Sequence, residues 1–125
     1  MNEPKVRVLL VDDQPAVRSE VCLVVEATEG FEVVGEASSG EEAVEMAADL
    51  NPDLILMDVN LPGINGLEAT KLILTHSKLP IVLVLSTYEA QDYEPKALAQ
   101  GASGYISKYE FSPETLLARW TAART

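Results

Sequence analysis

The sequence predicts an α/β fold in which helices cover both faces of a parallel sheet. Five short apolar segments alternate with five longer segments of helical periodicity, and strands that alternate with helices form parallel sheets. Two of the apolar segments, residues 6–11 and 81–86, are almost uninterrupted, as expected of strands buried on both faces. At 125 residues the chain has the length of one domain with a substantial core.

Turn-forming and helix-capping residues mark the boundaries of ten predicted elements. The predicted strands are residues 6–11, 31–37, 54–58, 81–86 and 104–107. The predicted helices are residues 15–29, 40–50, 67–76, a fourth that ends near Gln100 and a fifth that opens at Ser112. The second and fifth strands are the most weakly predicted of the five, so we place them at the two edges of the sheet. Right-handed crossovers then give the strand order 2-1-3-4-5 of a flavodoxin-like (βα)5 doubly wound sheet.

Pro95 complicates the fourth helix. A proline inside a helix removes a backbone hydrogen bond and costs roughly 3 kcal/mol. We therefore expect this helix to begin near residues 93–95, which would leave residues 87–92 as a long, loose loop.

Acidic residues outnumber basic ones by 20 to 9, for a net charge of −11. Nucleic acids and anionic membranes bind basic surfaces, so we expect this domain to bind neither directly. The single cysteine excludes an intrachain disulfide and suits a reducing compartment. The first residues lack the layout of a signal peptide, and no apolar run is long enough to span a bilayer. We expect a cytoplasmic location.

Polar side chains follow four of the predicted strands where these end. Asp12 and Asp13 follow the first strand, Asp58 closes the third, Ser86 closes the fourth and Lys108 follows the fifth. The carboxyl ends of parallel strands share one edge, and the order 2-1-3-4-5 opens a crevice between strands 1 and 3. Three carboxylates, a hydroxyl and an ammonium are the groups needed to hold a divalent cation and a phosphoryl group.

The segments LLVDDQP, LILMDVNLPGINGLE, VLVLST and GASGYISK resemble the receiver domain of bacterial two-component response regulators. The resemblance runs from about residue 6 to residue 117. The GASGY stretch and the LPG loop are most similar to receivers that precede a LuxR-type helix-turn-helix DNA-binding domain. The resemblance implies a receiver domain over residues 1–120. Residues 121–125 would then be a C-terminal tail or the start of a linker to an output domain outside this chain.

The resemblance also implies a role for each polar residue at the sheet edge. Asp58 matches the phosphoacceptor, and a carboxylate is able to attack phosphorus. Asp12, Asp13 and Asp58, with the main-chain carbonyl of Asn60, would hold Mg²⁺ or Mn²⁺, which prefer oxygen ligands. Lys108 matches the lysine that contacts the phosphoryl group.

Four residues around the phosphoacceptor are expected to control the response. Ser86 matches the hydroxyl that binds the phosphoryl group, and Tyr105 matches the aromatic residue that turns inward as this hydroxyl moves. Asn60 and Tyr88 occupy positions that tune dephosphorylation by steering or screening the attacking water.

Two residues depart from the pattern of the family. Thr87 stands where a small residue, often alanine, is usual, and its branched side chain would narrow access to Asp58. Tyr109 stands where proline often follows the lysine in a cis peptide bond. Cis bonds without proline are costly, so we expect a trans bond here and a differently set last loop.

The function implied is a phosphorylation-activated signalling switch. A sensor histidine kinase would donate a phosphoryl group to Asp58, and the domain would catalyse its own Mg²⁺-dependent phosphorylation and dephosphorylation. The surface of the last two helices and the last strand would then form a homodimer or engage an output domain that regulates transcription. One alternative is a degenerate receiver that acts as a phosphorylation-independent protein-binding module. Another is a flavin-binding electron carrier, although DDQP lacks a phosphate cradle rich in Ser, Thr and Gly.

Overall fold

A computed structural model describes residues 4–77 and 79–124, in which five strands alternate with five α-helices. The strands are β1 (Val6–Val11), β2 (Phe31–Ala37), β3 (Leu54–Met57), β4 (Ile81–Ser86) and β5 (Gly104–Ser107). The helices are α1 (Pro15–Glu26), α2 (Gly40–Leu50), α3 (Gly66–His76), α4 (Ala90–Ala99), α5 (Pro113–Arg124) and a short 3-10 helix, Lys108–Glu110. None of the helices in these two ranges is long and apolar enough to cross a membrane.

The five strands form one parallel sheet in the order β2-β1-β3-β4-β5, so the predicted fold class and strand order are confirmed. The pairing of β1 with β3 matters most for the site, because Val11 lies opposite Met57. Asp12 and Asp58 are the next residues of their strands and therefore emerge side by side. The backbone N–H of Asp58 donates to the carbonyl of Val11 over 3.0 Å, which fixes this alignment.

Apolar side chains fill both faces of the sheet, as the near-continuous strand sequences predict. One cluster joins the sheet to α2, α3 and α4, and a second joins it to α1 and α5. Trp120 of α5 belongs to the second cluster and meets the ring of Phe31 edge-on, with ring centroids 6.1 Å apart. The helix that follows the last strand is thereby fixed to the opposite edge of the sheet.

Side-chain caps explain where several helices begin. The Ser39 hydroxyl accepts a hydrogen bond from the N–H of Glu42 at the start of α2, and the Asn65 side chain accepts one from Glu68 at the start of α3. The Ser112 hydroxyl accepts a bond from the N–H of Thr115 before α5. These residue types supply acceptors to backbone groups that the helix itself leaves unpaired.

Three predicted boundaries were wrong by one to three residues. Helix α3 begins at Gly66, one residue earlier than predicted. Helix α1 ends at Glu26, not at residue 29, because the Thr28 hydroxyl donates to the carbonyl of Val24 and its N–H to that of Val25. Strand β3 ends at Met57, and Asp58 is the first residue of the following loop.

The predicted start of the fourth helix was also wrong. Helix α4 runs continuously from Ala90 to Ala99 with Pro95 inside it, so no long loop separates it from β4. The missing N–H of Pro95 would have bonded to the carbonyl of Gln91, four residues earlier. Gln91 and Pro95 are both exposed, so water is able to replace that donor. Because water can replace the missing donor, the proline costs the helix less free energy than the prediction assumed.

Gly66 begins α3 in direct contact with the phosphoacceptor candidate. A Cβ atom at this position would overlap the carbonyl oxygen of Asp58 and lie 3.0 Å from the Cα atom of Val59. The N–H of Gly66 also donates to the carbonyl of Val59 over 2.9 Å. The glycine therefore allows the loop after β3 to close tightly onto the start of α3.

We expect the substitution Gly66→Ala to lower the free energy of unfolding by about 2 kcal/mol or more, because backbone atoms must move to admit the methyl group. The matched control is Gly104→Ala, whose added Cβ would meet only the flexible end of Leu83, at 3.2 Å. Urea unfolding of both variants tests this, with a change of at most about 1 kcal/mol expected for the control. Equal stabilities for the two variants would contradict the steric argument.

Candidate functional site

Three carboxylates meet at the carboxyl edge of the sheet. Asp12, Asp13 and Asp58 each offer one oxygen, and these oxygens all lie within 4.8 Å of one another. Asp12 and Asp58 are buried, at 5% and 6% exposure, whereas Asp13 is exposed. The cluster therefore opens to solvent on the side of Asp13. Its all-oxygen donor set is compatible with a divalent cation.

Lys108 brings a positive charge to this cluster. Its Nζ atom donates a hydrogen bond to Oδ2 of Asp12 over 2.6 Å and lies 3.5 Å from Oδ1 of Asp58. The 3-10 helix that begins at Lys108 sets its position, and the Ser107 hydroxyl caps this helix by accepting the N–H of Tyr109 over 3.2 Å. No peptide bond among the described residues is cis, as expected for Tyr109. Lys108 reaches both acids without a proline after it.

Asp58 is held in a setting that disfavours its charged form. Burial raises the pKa of Asp58 to about 6, the nearby charge of Lys108 opposes this rise, and the charge of Asp12 adds to it. A hydrogen bond from the backbone N–H of Asn60 lowers the pKa in part. The carboxylate is thus mainly ionised at neutral pH but incompletely solvated. Such a perturbed acid in a cleft is a typical mark of a functional site.

Arg18 of α1 holds the backbone of the acidic pair, and this role was not predicted from the sequence. Its Nη1 atom donates to the carbonyl of Asp12 over 2.7 Å, and its Nε atom lies 3.3 Å from Oε1 of Glu36. The side chain of Asp12 in turn accepts the N–H of Gln14 over 2.9 Å. Arg18 is the only basic residue of α1, which was the available signal.

The loop after Asp58 rests on the start of α2. The N–H of Ile64 donates to Oε2 of Glu41 over 3.3 Å, and Gly63 adopts a positive φ of 74° beside the same carboxylate. Asn60 is exposed in this loop. Glu41 was not identified from the sequence, since an acid in the first turn of a helix is ordinarily explained by the helix dipole.

Ser86, Tyr88 and Tyr105 form a second group, joined by the turn between β4 and α4. The N–H of Tyr88 donates to the Ser86 hydroxyl oxygen over 3.2 Å, and the Tyr105 hydroxyl donates to the carbonyl of Tyr88 over 2.7 Å. Ser86 and Tyr105 are almost fully buried, whereas Thr87 and Tyr88 are exposed. Burial raises the pKa of Tyr105, so its hydroxyl keeps its proton as a hydrogen-bond donor.

Residues 8–121 match the family model described as the response regulator receiver domain. The chain belongs to this family. The resemblance noted from the sequence is therefore confirmed.

Curated relatives of the receiver are regulators of about twice its length. It is 43% identical to the response regulator GacA of Pseudomonas viridiflava over 104 residues, and this alignment covers 82% of the chain and 48% of GacA. It is 40% identical over 116 residues to the nitrate/nitrite response regulator NarL of Escherichia coli K12, covering 93% of the chain and 53% of NarL. The receiver thus spans about half the length of these relatives.

Solved structures agree with the fold in detail. The receiver superimposes with a TM-score of 0.87 on the signal receiver domain of the putative response regulator NarL from Mycobacterium tuberculosis, at 32% identity and covering 98% of each chain. It gives the same TM-score with a LuxR-family response regulator from Aurantimonas sp. SI85-9A1, at 34% identity, covering 94% of this chain and 84% of that one.

We expect Asp58→Asn to stabilise the metal-free protein at pH 8, by about 1 to 3 kcal/mol. The pKa of Asp58 is raised in the folded state from 3.8 to about 6, so the folded state binds its proton more tightly than the unfolded chain does. The charged form therefore costs stability above pH 6, and the cost disappears below about pH 4.

Urea unfolding in EDTA at pH 8 and pH 4 measures this effect. The gain from Asp58→Asn should be present at pH 8 and largely absent at pH 4, whereas Asp49→Asn, a change at an exposed acid of α2, should show no such difference. A gain of equal size at both pH values would mean that ionisation of Asp58 does not strain the fold.

Proposed function

We propose that this receiver domain is a phosphorylation-activated switch in which Asp58 accepts the phosphoryl group. The observation that carries the proposal is the placement of the Asp58 carboxylate within reach of two further acids and the ammonium of Lys108. No other arrangement of acids with metal-binding spacing occurs in the described part of the chain. Membership of the receiver family supports the same assignment.

Asp58 would act as the nucleophile. One of its carboxylate oxygens attacks the phosphorus of a phosphohistidine on a sensor histidine kinase, a P–O bond forms, and the P–N bond breaks as the imidazole leaves. With a pKa of about 6, Asp58 is mainly ionised at neutral pH, so the nucleophile is available. Hydrolysis of the resulting acyl phosphate returns the carboxylate.

Asp12, Asp13 and Asp58, with the main-chain carbonyl of Asn60, would hold Mg²⁺ or Mn²⁺. Such an ion, when bound, offsets the charge of the clustered acids and of the phosphoryl oxygens. Lys108 would pair with the new phosphoryl oxygens, since its Nζ atom already lies 3.5 Å from Asp58. Arg18 supports the pair by fixing the carbonyl of Asp12.

Two residues would convert phosphorylation into a change of surface, and two others would tune the rate of dephosphorylation. The Ser86 hydroxyl, which is now paired with the N–H of Tyr88, would turn toward the phosphoryl group, and Tyr105 would follow it. Asn60 and Tyr88, both exposed at the rim, would steer or screen the water that hydrolyses the acyl phosphate.

The parent protein is proposed to be a cytoplasmic transcriptional regulator. A DNA-binding output domain would follow the receiver, by analogy with relatives of twice the length, and phosphorylation would allow a homodimer to form. Residues 1–120 would form the receiver, and residues 121–125 would be a C-terminal tail or the start of a linker to the output domain. Helix α5 extends through Arg124, and Thr125 lies outside the described residues. The net charge of −11 argues against direct contact of the receiver with DNA.

Incubation with acetyl phosphate and Mg²⁺ should add ~80 Da to the wild-type chain, because Asp58 displaces acetate from phosphorus. Intact mass spectrometry detects the adduct. The adduct should be absent without Mg²⁺ and absent from Asp58→Ala, and it should persist in the matched variant Asp49→Ala. A wild-type chain that gains no mass would instead favour a phosphorylation-independent binding module. Thr87 would then be the first residue to test for blocking access to Asp58.

Mg²⁺ should raise the melting temperature of the wild-type protein, because a ligand that binds only the folded state stabilises it. At 100 times the dissociation constant the gain corresponds to about 2.7 kcal/mol. Asp13→Asn should lose most of this gain, since Asp13 is the exposed acid of the cluster, whereas Asp49→Asn should keep it. Thermal scans with and without Mg²⁺ compare the three proteins. An equal gain in Asp13→Asn would remove Asp13 from the metal site.

A further inference from the structure

The first turn of α4 (residues 90–93) has weak local attachments. Its N-cap residue, Glu89, makes no side-chain cap hydrogen bond, whereas Ser39 and Asn65 cap α2 and α3. The N–H groups of Asp92 and Tyr93 share the single backbone carbonyl of Glu89, at 3.1 and 3.2 Å. The first turn therefore lacks the side-chain acceptor that stabilises the starts of α2 and α3, as does the start of α1, where Gln14 makes no side-chain cap hydrogen bond.

Pro95 separates this first turn from the remainder of the helix. It has no N–H, so it cannot donate the usual helical hydrogen bond to the carbonyl of Gln91. The second turn is anchored separately, because Ala97 is fully buried in the core. The first turn is thus joined to the anchored part of α4 by fewer bonds than an uninterrupted helix would provide.

The side chain of Tyr93 attaches the first turn of α4 to the rest of the protein. It packs against the core cluster under α4, whereas Gln91 and Asp92 are exposed. Its ring stacks on the ring of Tyr88 with centroids 4.5 Å apart and planes at 20°, and Nζ of Lys96 lies 5.1 Å from the Tyr93 centroid. Stacked aromatic pairs contribute energy beyond the area they bury.

The partner in this stack belongs to the switch group. The backbone N–H of Tyr88 is bonded to the Ser86 hydroxyl, and its carbonyl accepts the hydroxyl of Tyr105. Tyr88 therefore has its backbone fixed by the two buried switch residues and its ring fixed by α4. A shift of either switch residue must act on the residue that holds the Tyr93 ring.

We propose that Tyr93 is a positioning residue that ties the first turn of α4 to Ser86 and Tyr105 through its stack on Tyr88. The first turn then moves with the switch group, and Pro95 separates this movement from the anchored second turn. The coupling exists in the resting protein. Its role in signalling rests on the proposed function: a phosphoryl group that draws the Ser86 hydroxyl away would displace Tyr88 and, through the stack, the start of α4.

A double-mutant cycle in the resting protein tests the coupling without phosphorylation. Tyr105→Phe removes only the hydroxyl that holds the Tyr88 carbonyl, and NMR hydrogen exchange reports the amides of residues 92–94. In the wild-type background this change should speed exchange about fivefold, the effect of one hydrogen bond. In the Tyr93→Leu background the first turn should already exchange fast, and Tyr105→Phe should add less than twofold. In Tyr93→Phe, which keeps the ring, the effect should return to about fivefold.

An effect of Tyr105→Phe that is as large in Tyr93→Leu as in the wild type would overturn the proposal, as would its absence in the wild type. Unchanged exchange in the buried strand β1 verifies that each variant is folded. A second arm repeats the exchange after acetyl phosphate and Mg²⁺, with intact mass of the same samples. The exchange rates of the amides of residues 92–94 should then change in the wild type and in Tyr93→Phe but not in Tyr93→Leu. A missing mass adduct would refute the proposed function alone, because the resting cycle decides the coupling by itself.

Discussion

The ion pair between Lys108 and the buried acids is the interaction on which the site depends. Removing one ionised carboxylate from water is costly, and Asp12 and Asp58 are buried side by side with like charges. The ammonium of Lys108, 2.6 Å from Asp12 and 3.5 Å from Asp58, offsets part of that cost. The pairing is incomplete, because the pKa of Asp58 remains raised to about 6. A site that is imperfectly neutralised retains affinity for a further cation.

The order of the strands makes this pairing available. Strands β1 and β3 are neighbours, so their terminal acids meet at the point where the direction of the sheet connections reverses. Lys108 follows β5 at the edge of the sheet, and its ammonium reaches past β4 to Asp58 after β3 and to Asp12 after β1. Gly66 and Glu41 then close the loop after Asp58 onto α3 and α2. The fold places the charges, and the loops fix their orientation.

The sequence was sufficient to predict the features that depend on chain periodicity. Apolar runs predicted the positions of the strands. Because parallel strands end at one edge of the sheet, the polar residues that follow them, Asp12, Asp58 and Lys108, were predicted to lie together. Contacts that depend on side-chain direction were not predictable in this way. Arg18 reaches a backbone carbonyl, which no pattern of residue types reports. Pro95 was misjudged because the helix penalty depends on whether the orphaned carbonyl meets water.

The two parts of the site differ in how firmly they are held, and this difference suits their tasks. The acids and Lys108 lie on strand ends with buried neighbours, which favours a fixed geometry for the transfer of a phosphoryl group. The start of α4 has no side-chain cap and is followed by Pro95, so little local energy resists its displacement. A signalling domain needs a surface segment that moves at a low cost in free energy, while the residues that react keep their positions. The Tyr88–Tyr93 stack satisfies both requirements, because it joins the weak helix start to the rigid sheet through one pair of rings.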